Sequence, residues 1–266
     1  MAIRMWNHLS TTDFLEVDRD KTLVLMPLGA TEQHGPHLPV GTDHLLVEEV
    51  LRRIKPRLDD IEALLLPTLW CTKSNEHVAF PGSLYLQAET MMAMVHDITA
   101  AISRSGFKRL VIMNWHGGNS DLLSALTRDI RQRSQLLTFL IDIVYIFMGP
   151  TSEQAGVAQG VDIHAGRYET GMMLAAYPNL VKPGPYQDIG SDLKRGRLAD
   201  SFAGCRYVLP EGGPVRVGWE TTDLTSDGVI GNPAGSNAAE GEQNLEEMVE
   251  RVEAMLREIA TFEFRS

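Results

Sequence analysis

Between residues 22 and 147, four short apolar runs alternate with longer stretches of helical periodicity, and this alternation restricts the fold more than any other feature of the chain. The runs are TLVLMPL (22–28), ALLLPTL (63–69), RLVIMNW (109–115) and LLTFLIDIVYIF (136–147). The first is β-rich and stops at a glycine-bearing loop, as a buried parallel strand does. From Asp43 to about Leu58, the residues Leu46, Val47, Val50, Leu51 and Ile54 fall on one face of a helix. A second helix, 88–106, ends at Gly106, the residue type suited to a left-handed C′ position. A third follows Ser120, placed as its N-cap. Strand and helix alternating four times is the pattern of a parallel sheet covered on both faces.

Beyond Pro150 the chain is richer in Gly and Pro up to Gly235, with a helix at GRYETGMMLAAY and a strand at PVRVGW. The last helix, NLEEMVERVEAMLREIATF, puts Leu245, Met248, Val249, Val252, Met255, Leu256 and Ile259 on one stripe, expected to pack on its own core. With no repeat and no linker, residues 1–266 read as one α/β domain, large enough to bury a core at 44% hydrophobic content.

A net charge of -11 argues against a surface that tracks nucleic-acid phosphates. Cys71 and Cys205 are far apart and show no Cys-x-x-Cys spacing, so neither a disulfide framework nor a cysteine zinc site is expected, and a reducing cytoplasm fits. The N-terminus MAIRMWNHLSTTDF has no apolar signal core, and no run of eighteen uncharged apolar residues occurs, so neither export nor a membrane span is expected.

Open parallel sheets place their sites at the carboxyl ends of strands. The loop after the first run, GATEQHGPHLPVGTD (29–43), carries Glu32, His34, His37 and Asp43. Of eight histidines in the chain, three (His34, His37, His44) fall within eleven residues. After the third run comes NWHGGN with His116, and further on DIHAGRYET with Asp162, His164 and Glu169. Imidazoles and carboxylates converging from separate loops are what a hydrolytic metal site needs. Glu32 and His34, two apart, project to one side of an extended segment, where each can reach a different ion of a close pair. Asp43, at a helix start, is placed to bridge them.

Each group also has a plain structural use. Asp43 can cap its helix, HGGN can be a tight turn with Asn119 as a cap, and His164 and Glu169, five apart, do not stack on a regular helix. Three metal-competent segments in a histidine-poor chain favour the joint reading. No G-x-S-x-G, P-loop or G-x-G-x-x-G occurs, and Cys71 near His77 reads as a buried thiol rather than a nucleophile.

The blocks PLGATEQHGPHLPVGTD, NEHVAFPGS, NWHGGN and HAGRYETGMM, spanning residues 27 to 173 in order, resemble the four signature blocks of the creatininase (creatinine amidohydrolase) family. The resemblance implies a three-layer αβα sandwich with a mostly parallel central sheet and a homohexamer acting on a small-molecule substrate. It also implies two divalent ions per chain, zinc or manganese with iron left open. By matching motif, Glu32 and His116 would hold one ion, His34 and Glu169 the other, and Asp43 would bridge; His164 matches a substrate-facing histidine. Enzymes acting on creatinine itself carry tyrosine and a ligating glutamate where this chain has Gly117 and Gly118, and a tryptophan shortly before the histidine matched by His164, which EQAGVAQGVDIHAG lacks. Creatinine is therefore not the expected substrate. Relatives with the glycine form include formamide-cleaving enzymes, a peptidase and a ring-opening hydrolase of inositol-derived ketones.

The expected reaction is hydrolysis of a C–N bond in a cyclic amide or formamide by a metal-bridging hydroxide, with His164 moving a proton to the leaving nitrogen. Backbone N–H groups of Gly117 and Gly118 and the side chain of His77 are expected to face substrate, and His37 to support a ligand from behind. The rivals are ring opening at a cyclic ketone and a metal-binding protein without catalysis.

Overall fold

The structure, a computed structural model, describes residues 3–142, 146, 162–190, 200, 202–205, 208–209 and 215–264. Five strands, β1 (Arg4–Met5), β2 (Leu23–Leu28), β3 (Ala63–Leu65), β4 (Arg109–Asn114) and β5 (Leu137–Asp142), form a sheet in the order β1-β3-β2-β4-β5. Every pairing in it is parallel, with Leu25 opposite Val111 and Ile112 opposite Leu140. All residues of β2 and β4, the two central strands, are buried.

Helices cover both faces. One face carries α1 (Thr42–Ile54), α4 (Arg167–Ala176) and α6 (Ala238–Thr261), packed on Leu23, Leu25, Val111 and Met113. The other carries α2 (Ala88–Arg104) and α3 (Ser120–Ser134), packed on Val24, Met26, Leu110 and Ile112. Alternate strand residues thus feed two separate cores, as the pleat requires. Leu245, Met248, Val249, Val252 and Leu256 of α6 are buried in the first core, each worth about 1.5–3 kcal/mol relative to exposure. The apolar stripe of α6 therefore packs on its own chain, as expected. Among the described residues, no helix is long and apolar enough to cross a membrane.

Several boundaries differ from the sequence expectation for identifiable reasons. The ALLLPTL strand stops at Leu65 because Pro67 has no N–H for the ladder, although Leu69 rejoins β2 through N–H bonds to Pro27 and from Gly29. α1 ends at Ile54, where Pro56 interrupts the helical hydrogen bonds and a short 3-10 turn follows. Ser120 is the first residue of α3 rather than its cap; Asn119 holds the cap position without a side-chain cap bond. Gly106 has φ +93 after α2, as expected. Among the described residues of PVRVGW, Val215–Arg216 (β7) is strand, paired in parallel with Val208–Leu209 (β6). A short helix, α5 (Thr221–Leu224), is closed by a capping box between Glu220 and Asp223. α6 begins before the predicted Asn244 because Asn237 Oδ1 accepts the Glu240 N–H at 3.0 Å. Past Asp142 the fourth predicted strand runs mostly outside the described residues.

Candidate metal centre

Leu28 and Asn114 are paired in register, so the loops that follow β2 and β4 leave the sheet at the same edge. A Cβ on Gly29 would lie 2.6 Å from His44 Cα. Only glycine lets the first turn of α1 press against the exit of β2, and that contact turns Asp43 inward. The Glu32 N–H bonds the Val40 carbonyl at 2.8 Å and closes the loop between them. Glu32, His34, Asp43, His116 and His164 are all buried, and Glu169 lies at the start of α4 beside them.

Hydrogen-bond partners show which atoms of the cluster are open to a cation. His116 Nε2 lies 2.9 Å from the Lys73 carbonyl, which only accepts, so Nε2 carries a proton and Nδ1 is the nitrogen open to a cation or a second proton. His116 Nδ1 faces Glu32 Oε2 at 3.1 Å and Asp43 Oδ2 at 3.3 Å, two buried oxygens with no other hydrogen-bond partner among the described residues. His34 repeats the pattern: Nδ1 donates to the Glu32 carbonyl at 3.1 Å, and Nε2 faces Asp43 Oδ1 at 3.2 Å and Glu169 Oε1 at 3.5 Å. Nitrogen and oxygen donors 2.0–2.2 Å from one tetrahedral ion stand about 3.4 Å apart, so this donor set fits divalent cations.

The electrostatics agree. Burial alone would push the protons off His34 and His116, yet Asp43 with Glu169 raises the first well above its usual value, and Glu32 with Asp43 does the same for the second. Burial alone would likewise raise Asp43, but His34 and His116 hold it below the usual carboxylate range. A field that draws protons so strongly draws a divalent cation by the same Coulomb attraction.

Behind the donors is a polar scaffold. Glu76 Oε1 lies 3.2 Å from His116 Nε2, and Lys73 Nζ lies 3.4 Å from Glu76 Oε2. Against the cost of burial, His116 lowers the Glu76 carboxyl to about 2. Asn119 Nδ2 donates to Thr72 Oγ1 at 3.0 Å and Asn114 Oδ1 at 3.1 Å, and Thr72 Oγ1 donates to the Gly29 carbonyl at 2.7 Å. Asn119 thus ties the exits of β2 and β4 together instead of capping α3. Gly117 and Gly118 open the 3-10 turn after His116.

The other sequence candidates separate. His164 Nε2 bonds the Gln33 carbonyl at 2.6 Å, Nδ1 lies 3.7 Å from Glu32 Oε1, and burial together with His34 lowers its affinity for a proton. His77 Nε2 lies 3.4 Å from the same Glu32 oxygen, and its ring is 4.4 Å from that of His164. His37 turns away to Thr170 Oγ1 at 2.8 Å, bracing α4 beside Glu169; burial lowers it to about 4. His44 faces Glu48 on the surface of α1. Asp162 Oδ2 accepts the Tyr168 N–H at 3.0 Å, so it caps α4 and stays out of the cluster. Asp43 does not cap α1. Two participants escaped the sequence reading, Glu76 and Gln33, although each adjoins a histidine in a quoted block.

The chain matches the creatininase family model, described as creatinine amidohydrolase, over residues 7–256. The mycofactocin precursor peptide peptidase of Mycobacterium ulcerans is 30% identical over 233 residues, 85% of this chain and 81% of that protein. The creatinine amidohydrolase of Pseudomonas putida is 34% identical over 176 residues, 60% of this chain and 66% of that protein. A creatininase variant solved in a zinc–zinc form superposes with a TM-score of 0.70 at 25% identity, covering 97% of this chain and 98% of that one. Its sheet, its helical layers and a family match over nearly its whole length show that this chain has the creatininase-like fold and belongs to the creatininase family.

Proposed function

We propose that the chain is a dinuclear metal-dependent amidohydrolase. In this reading Glu32 and His116 hold one ion, His34 and Glu169 the second, and Asp43 is shared. The observation that carries it is the division of the Asp43 carboxylate, Oδ1 toward His34 and Oδ2 toward His116. Bound there, zinc or manganese supplies an acidified water and a Lewis acid for a carbonyl.

The chain's own residues do the rest. His164, buried and neutral, keeps one nitrogen on the Gln33 carbonyl and turns the other inward, so it can take a proton from water and pass it to a leaving nitrogen. His77 and the backbone N–H groups of Gly117 and Gly118 are the proposed contacts to the substrate carbonyl. The bond is an amide C–N bond, in a cyclic amide or formamide; the peptidase relative makes peptides part of the same test. A homohexamer belongs to the proposal and is read by light scattering.

The test is elemental analysis of purified protein, followed by assays of loaded and chelator-treated protein on cyclic amides, formamides, short peptides and cyclic ketones. About two ions per chain and amine release that chelation abolishes are expected. Failure to bind Zn²⁺ or Mn²⁺ would sink the reading. Ketone ring opening without amide cleavage would reassign the bond.

A further inference from the structure

We propose that Gln33 is a positioning residue that fixes His77 and His164 in the same Nε2–H tautomer with opposite ends turned inward, so that one offers an N–H and the other a lone pair to the same side of Glu32. This deepens the amidohydrolase reading and rests on it for its catalytic consequence, but the tautomers themselves follow from hydrogen bonds alone.

Gln33 lies between two of the proposed ligands in sequence and is buried. Its Oε1 accepts the Gly35 N–H at 2.9 Å, which sets which end of the amide is oxygen. Its Nε2 lies 2.9 Å from the Gly228 carbonyl and 2.9 Å from His77 Nδ1. Turning the amide over would set Oε1 against the Gly228 carbonyl and the NH₂ group against the Gly35 N–H, losing both bonds. The amide nitrogen has two hydrogens. The carbonyl takes one, and His77 Nδ1 takes the other.

His77 Nδ1 is therefore an acceptor, and its proton sits on Nε2, 3.4 Å from Glu32 Oε1. Thr221 Oγ1 lies 2.8 Å from the same Nδ1 and 2.9 Å from the Glu76 carbonyl. Its single hydrogen can serve either, so the amide decides. A protonated Nε2 cannot ligate a cation, which makes His77 a hydrogen-bond donor into the site.

His164 is held by the same residue with its other end inward. Its Nε2 lies 2.6 Å from the main-chain carbonyl of Gln33 and must donate, leaving Nδ1 as a lone pair 3.7 Å from Glu32 Oε1. The 3.1 Å approach of Gln33 Nε2 to that nitrogen carries no hydrogen bond, because both amide hydrogens are committed. A donor and a proton acceptor thus stand side by side, rings 4.4 Å apart. For an amide substrate, His77 can hold the carbonyl oxygen while His164 handles the proton. Gly228 completes the clamp: with φ +86 and a Cβ position 2.0 Å from Gln33 Oε1, no larger residue fits there.

The experiment places ¹⁵N-labelled histidine in the wild type, Gln33→Glu and Gln33→Met, zinc-loaded or metal-free if zinc does not bind. Long-range ¹H–¹⁵N spectra, assigned with His77→Ala and His164→Ala, report which ring nitrogens carry protons. In the wild type His77 should carry its proton on Nε2. Gln33→Glu, which replaces the donor by an acceptor, should move that proton to Nδ1 or add a second. Gln33→Met should keep metal content while kcat falls roughly 10- to 100-fold, with KM changing far less. A wild-type His77 protonated on Nδ1, or a tautomer indifferent to Gln33→Glu, overturns the proposal. If the wild type neither binds metal nor hydrolyses amides, the functional reading fails while the spectra still decide the tautomers.

Discussion

Glu76 fills the space that a side chain at Gly118 would need: a Cβ on Gly118 would lie 1.8 Å from Glu76 Oε1. The same carboxylate oxygen stands 3.2 Å from the outward nitrogen of His116. Position 118 therefore constrains both Glu76 and His116, whose Nε2 lies 2.4 Å from the same Cβ position. Carboxylates behind metal-bound histidines typically tune affinity 10- to 100-fold. Gly118→Ala should displace Glu76 and press on His116, weakening metal binding by at least about that factor in a chelator competition, with Glu76→Gln, which leaves His116 uncrowded, a milder loss. Unchanged affinity in Gly118→Ala would show that His116 is oriented without Glu76.

His164 and Glu169 belong to one sequence block but are given different work. His164→Ala should keep both ions and lower kcat by about 10²–10⁴. Glu169→Gln should lose the ion shared with His34, since a neutral amide is a poor ligand for a hard or borderline cation. Metal analysis beside kinetics separates the two. Loss of metal in His164→Ala would make the histidine a ligand.

Burial raises the Asp162 carboxyl from 3.8 to about 7, and Glu169 adds to the shift. The folded chain thus holds this proton more tightly than the unfolded one. Its contribution to stability is complete below about pH 4 and is lost as pH rises through about 7. Asp162→Asn keeps an acceptor for the Tyr168 N–H and removes the titration. The variant should gain stability relative to wild type between pH 4 and 8, as read from melting temperatures; a constant difference across that range would contradict the assignment.

Glu49 is 4% exposed on α1 and accepts bonds from Arg52 and Arg53 at 2.6–2.7 Å, while Arg53 also reaches Glu242 of α6. Charged hydrogen bonds of this kind contribute about 1.5–3 kcal/mol each to stability. Glu49→Ala should cost about 2–3 kcal/mol in urea unfolding, since it strips two arginines of a buried partner. Glu242→Ala, at the surface, should cost less than about 1 kcal/mol. Equal losses would mean that the link between the helices, rather than burial of Glu49, carries the stability.

The sequence by itself determined the layers, because hydrophobic periodicity is local: Leu46, Val47, Val50, Leu51 and Ile54 mark the buried face of α1 without reference to anything distant. It also identified which segments meet, since parallel strands deliver their following loops to one edge, and Glu32 and His116 leave from β2 and β4. β1 was not legible, because two residues carry no period. Side-chain direction was not legible either. His34, His37 and His44 look alike in one dimension, yet they face Asp43, Thr170 and Glu48, and the choice is made by how α1 and α4 pack around the loop. Asp43 turns inward rather than capping its helix because Gly29 admits the backbone at His44. Glu76 and Gln33 escaped notice for the same reason. Their partners are His116, His77, His164 and the Gly228 carbonyl, forty or more positions away in the chain, and only the closed tertiary structure sets those distances.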